Sequence, residues 1–106
     1  MARRWPGRGQ RRLTVLADWL DWHTRRAPAA LRSRVLHYAS EGGGEDRSGA
    51  LAAAGRRALD RVVSHPGDRS VALDLLAADA LITLALLAEA ERRPERLGEF
   101  AAGLLR

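Results

Sequence analysis

At 106 residues, 46% hydrophobic and 29% charged, the chain has the composition of one globular domain, long enough to bury a core without covalent staples. It contains no cysteine, lysine or asparagine, which removes disulfides, thiolate nucleophiles, zinc knuckles, Schiff bases and the lysine of a phosphate-binding loop. The net charge of +5 lies in residues 1–12, where five arginines meet no acid; the other thirteen arginines balance thirteen Asp and Glu.

Residues 1–12 read as a disordered basic tail carrying Arg3, Arg4, Trp5, Arg8, Arg11 and Arg12, with Gly7 and Gly9 between. No apolar stretch follows that would make it a signal peptide. Residues 13–106 read as a single helical domain. In 13–24, Leu13, Leu16, Leu20 and His23 fall on one helix face, and Asp21 stands four before Arg25, the spacing of a surface ion pair. Pro28 suits the first position of a second helix ending near Ser40, with Leu31, Val35 and Tyr38 aligned and Arg34 and His37 pointing elsewhere.

Gly42, Gly43 and Gly44 form a linker inside the domain. Ser48 is the expected N-cap of a third helix burying Leu51, Ala54, Gly55, Ala58, Leu59 and Val62. His65-Pro66-Gly67-Asp68 is a break, and Asp68 can cap the helix after it. The fourth helix, about 69–93, is long, central and hydrophobic: of the eighteen residues 71–88 only Asp74 and Asp79 are charged. Its small strip, Ala77, Ala78, Ala85 and Ala88 with Asp74 and Leu81, invites close approach by another helix. Pro94 ends it, and a short fifth helix aligns Leu97, Phe100, Ala101, Leu104 and Leu105. Strand-like alternation is missing, so the expected class is all-α, a four- to five-helix bundle.

A membrane span is not expected. The seven Leu, one Ile and one Val of 71–88 favour insertion by at most roughly 5 kcal/mol, and a mid-helix Asp opposes it by about 2.5–3.5 kcal/mol.

Catalytic and metal sites find little support. None of His23, His37 and His65 has an acid three residues before it, so the Glu-x-x-His pairs of carboxylate di-iron bundles are missing. Asp74 and Asp79, five apart, project about 140° from one another and make no carboxylate pair; each is expected to meet an arginine or to emerge at a gap in the bundle. No catalytic residue, metal or cofactor is assigned.

Two surfaces remain. The basic tail could contact phosphates through its arginines, with Trp5 stacking on a base or resting at a lipid interface. On the first helix, Val15, Trp19 and Trp22 widen the apolar arc beyond what packing needs, and tryptophan is a frequent anchor of protein contacts. The expectation is a cytoplasmic, non-catalytic helical protein of bacterial-like, high-GC composition, acting through protein–protein contacts as an adaptor or by self-association. The alternative is a nucleic-acid-associated protein anchored by its arginine tail.

Overall fold

The computed structural model describes residues 8–43, 46–65 and 67–105, with residues 8–14 by backbone alone. Five α-helices follow one another: α1 Arg8–His23, α2 Ala29–Ser40, α3 Arg47–Ser64, α4 Ser70–Arg92 and α5 Leu97–Leu104, the last entered through a 3-10 turn, Pro94–Arg96. No strand occurs among the described residues. The protein is an all-α bundle.

The first helix begins five residues earlier than its hydrophobic face suggests. Arginine and glutamine are good helix formers and nothing but Gly9 opposes them, so helix runs on into the basic segment as far as Arg8. Residues 8–12, read from sequence as part of the tail, lie in the opening turns of α1, and residues 1–7 lie outside the described residues. Pro28 sits just before α2 rather than in it, extended at φ −56° and ψ 145°, and its carbonyl accepts from the Arg32 amide at 3.0 Å.

Between α2 and α3, Gly42 and Gly43 take φ values of +83° and +107°, where a side chain would be strained. Asp46, not Ser48, caps α3: its Oδ1 accepts from the Gly49 amide at 2.9 Å. The two residues compete for one role, and Ser48 is drawn inward to donate to Glu89 Oε2 at 2.6 Å. Asp68, expected to cap α4, lies one residue before its N-cap Arg69, and its Oδ1 accepts from the Ser70 amide at 3.0 Å in the turn that leads into the helix.

The Asp46 cap also receives Arg92 Nη1 at 2.6 Å. The Gly49 amide, then Ser48 and Arg92, hold its carboxyl below the ordinary aspartate range against the opposing effect of burial. A depressed folded-state value means the contribution is full above the unfolded aspartate pKa and fades as pH falls through the folded one. Asp46→Ala is expected to cost about 1–2 kcal/mol at neutral pH. The difference from the parent should shrink on acidification, read as urea midpoints followed by circular dichroism.

α3 and α4 form an antiparallel hairpin with a register set by Ser48 against Glu89, Gly55 against Ile82 and Arg61 against Asp74. The buried residues of α4 are Asp74, Ala77, Ala78, Leu81, Ala85, Ala88 and Glu89, the small strip expected plus one acid. Facing it, α3 buries Ser48, Leu51, Ala54, Gly55 and Ala58. Alanine and glycine bring the two backbones together: a Cβ on Gly55 would stand 2.8 Å from Ile82 Cγ1. Leu59, expected inside, lies off this face and is 41% exposed.

α2 packs on the hairpin through Val35, Tyr38 and Ala39. Leu20 at 0% exposure anchors α1, and Thr24 folds its hydroxyl back to the Leu20 carbonyl at 2.6 Å. The expected Asp21–Arg25 pair is not formed. Asp21 is paired with Arg32 across α1 and α2, while Arg25 lies over the Trp22 ring at 3.9 Å. At the other end Phe100 of α5 packs against the core, whereas Leu105 is 90% exposed.

Candidate functional site

The expected tryptophan edge stands on α1. Val15 and Trp22, seven residues apart and hence on one stripe, are 54% and 63% exposed. Trp19, between them and nearer the core, is half-buried; its ring lies 4.2 Å from that of His23, and the Arg47 guanidinium sits 5.2 Å from its centroid. Among the described residues neither α2 nor α5 covers Val15 or Trp22. Of the tail residues, Arg8, Arg11 and Arg12 fall in the opening turns of α1, described by backbone alone, and Arg3, Arg4 and Trp5 lie outside the described residues.

The two acids singled out in α4 part company. Asp79 is exposed, whereas Asp74 is fully buried, behind the Arg34, Tyr38 and Arg61 side chains that line a groove between α2 and the hairpin. Its Oδ1 accepts from Arg34 Nη1 and from the Tyr38 hydroxyl, both at 2.8 Å, and its Oδ2 faces Arg61 Nε at 3.5 Å. Arg34 was expected to point elsewhere; its Cα does lie beside the buried face, but the long apolar stem carries the guanidinium inward. Burial pushes the Tyr38 hydroxyl above the ordinary tyrosine range, and the hydrogen bond to Asp74 adds to it. The groove, about 580 Å³, is rimmed by Ser33, Arg34, His37, Glu41 and Arg61.

A second buried carboxylate was not anticipated. Glu89 accepts from Ser48 and faces Arg93 Nε at 3.2 Å, while Arg92 and Arg93 also reach Asp46. These two networks tie α2 and α3 to opposite ends of α4. Both buried carboxylates are engaged by arginines and hydroxyls, although Asp74 Oδ2 has only the 3.5 Å approach of Arg61 and accepts no hydrogen bond. The histidines do not converge: His23 faces Glu91 at 4.0 Å, His37 faces Glu41 at 3.4 Å, and the His65 ring reaches the Arg61 carbonyl. No cluster of potential metal ligands occurs among the described residues.

No protein-family model matches this chain, and neither the curated proteins nor the solved structures provide a match.

The outward side of α4 is the feature that sequence reasoning missed. Apolar on almost all sides, the helix was expected to be enclosed by its neighbours. Only 39% of its most apolar eighteen-residue stretch is buried, although it is long and apolar enough to cross a membrane by length and composition. Leu75, Leu76 and Leu87 are 51%, 55% and 38% exposed.

Proposed function

We propose that this protein is a non-catalytic helical module that works by binding another protein through the Val15–Trp22 edge of α1. The observation that carries the reading is the exposure of Trp22 beside Val15 on a helix whose opposite face is fastened to the bundle. An exposed indole with the Arg25 guanidinium on one face gives a large contact area with little entropy to lose, the pattern of an interface anchor. The engagement of Asp74 and Glu89 by arginines supports a structural rather than catalytic use of the buried acids.

The test is the paired variant Val15→Ala, Trp22→Ala. Both side chains are exposed, so stability should change by no more than about 0.5–1 kcal/mol. Affinity for a partner recovered from the host lysate should fall by about 2 kcal/mol or more, roughly thirtyfold. A partner retained at full strength by a folded variant would sink the proposal. Recovery that nuclease abolishes, and that needs residues 1–7, would favour the arginine-anchored nucleic-acid reading instead.

A further inference from the structure

The outer face of α4 carries a second surface, distinct from the α1 edge. Leu73, Leu76, Ala80, Thr83, Leu87 and Ala90 follow one another at spacings of three, four, three, four and three. That is the spacing of a two-helix coiled-coil seam; Leu76, Thr83 and Leu87 are exposed, while Leu73, Ala80 and Ala90 are partly so, Leu73 lining the groove beside α2 and Ala80 also touching the core. A coiled-coil seam with no partner helix on it is a large unfavourable surface for a protein in water.

We infer that this seam is covered by the same seam of a second copy, with the two α4 helices antiparallel. The three-four-three-four-three spacing of the seam reads the same in both directions, so an antiparallel copy meets it in register. Centred between Ala80 and Thr83, the two-fold arrangement sets Leu76 against Leu87 of the second copy and Ala80 against its Thr83. Leu73 then meets the second copy's Ala90, and the small central residues let the helices approach closely.

Charge decides the orientation. Antiparallel pairing brings Arg69, exposed at the start of α4, within one turn of Glu91 of the second copy, twice by symmetry. It also offsets the two Asp79 side chains by about five residues, roughly 7.5 Å along the axis. Parallel pairing would set Asp79 beside Asp79 and Glu91 beside Glu91, with the helix dipoles aligned as well.

The size of the contact sets its strength. From Leu73 to Ala90 the seam is about 26 Å long and one helix wide, about 10–12 Å. Such a patch, roughly 300 Å² on each copy by these dimensions, falls below the usual specific interface, so the dimer is weak and transient, with a dissociation constant on the order of 100 micromolar.

The experiment is sedimentation equilibrium of the full chain across that range, with circular dichroism confirming the fold of each variant. The parent should show a monomer–dimer equilibrium. Leu76→Glu with Leu87→Glu places glutamates opposite one another and should weaken it by about tenfold or more. Leu76→Lys with Leu87→Glu places each lysine opposite a glutamate only if the helices are antiparallel, and should restore association. A parent that stays monomeric at every concentration overturns the inference, as does a Lys/Glu variant no better than the Glu/Glu one. A monomer that instead binds vesicles of mixed zwitterionic and anionic lipid, and loses them in the Glu/Glu variant, overturns it in favour of a lipid surface.

Discussion

Replacing Asp74 by alanine is expected to destabilise the fold by about 3 kcal/mol. The carboxylate is the point where three helices meet: it sits on α4 and receives Arg34 and Tyr38 from α2 and Arg61 from α3. Removing it leaves the buried Tyr38 hydroxyl with no acceptor, and an orphaned buried donor forfeits most of its hydration. The two guanidiniums fare better. Their side chains are 31% and 54% exposed, so both recover water, which keeps the loss below that of breaking a fully enclosed ion pair. Urea unfolding followed by circular dichroism checks the figure.

Two companion measurements separate the parts of this network. Tyr38→Phe removes one donor and keeps the ion pairs, so it should cost less than Asp74→Ala, about 1–2 kcal/mol. The hydroxyl also carries a pH signature. Its folded pKa is raised, so its contribution is present below the unfolded tyrosine value of 10.0 and is lost as pH rises through the folded one. The parent should therefore lose stability in alkali faster than Tyr38→Phe. Equal alkaline slopes in the two proteins would show that the hydroxyl is not held as described.

What the chain disclosed on reading, and what it withheld, follows from the physics of each position. The inward strip of α4 was legible because Ala77, Ala78, Leu81, Ala85 and Ala88 repeat at helical spacing and small residues invite a close neighbour. Periodicity follows Cβ direction, however, and so it missed Arg34, whose charge acts at the end of a long bendable stem. Glu89 escaped for another reason: it closes a run of apolar residues where a surface acid is ordinary, and its partner Ser48 lies 41 residues away.

The candidate sites divide in the same way. The width of the apolar arc on α1 could be counted from Val15, Trp19 and Trp22, but whether another helix covered it depended on tertiary placement. On α4 the uniform hydrophobicity concealed the seam. A helix apolar on every side does not reveal which side its neighbours will occupy, and the answer came only once α2 and α3 were seen on one side of it.

Leu81→Ala is expected to have the largest effect of any single truncation, about 4–5 kcal/mol, at the upper end of the range for such changes. Its side chain is fully buried at the middle of α4, directly against Gly55 of α3. The cost of a cavity depends on how far the surroundings can collapse into it, and here they are nearly rigid. The adjacent buried positions are Ala54, Ala58, Ala77, Ala78 and Ala85, which have no rotamers with which to reach inward. Nor can the backbones close further, since Gly55 already brings the helices to the limit set by Ile82. Large fully buried hydrophobes are few in this core, Leu20, Leu51, Leu81 and Val35, so the loss of one is a large share of its volume. With domain stabilities of about 5–15 kcal/mol, a loss of this size should leave the variant partly unfolded at room temperature or close to it. Thermal unfolding checks this directly: a midpoint within a few degrees of the parent would mean that the hairpin yields, and that its alanine packing is softer than its close approach implies.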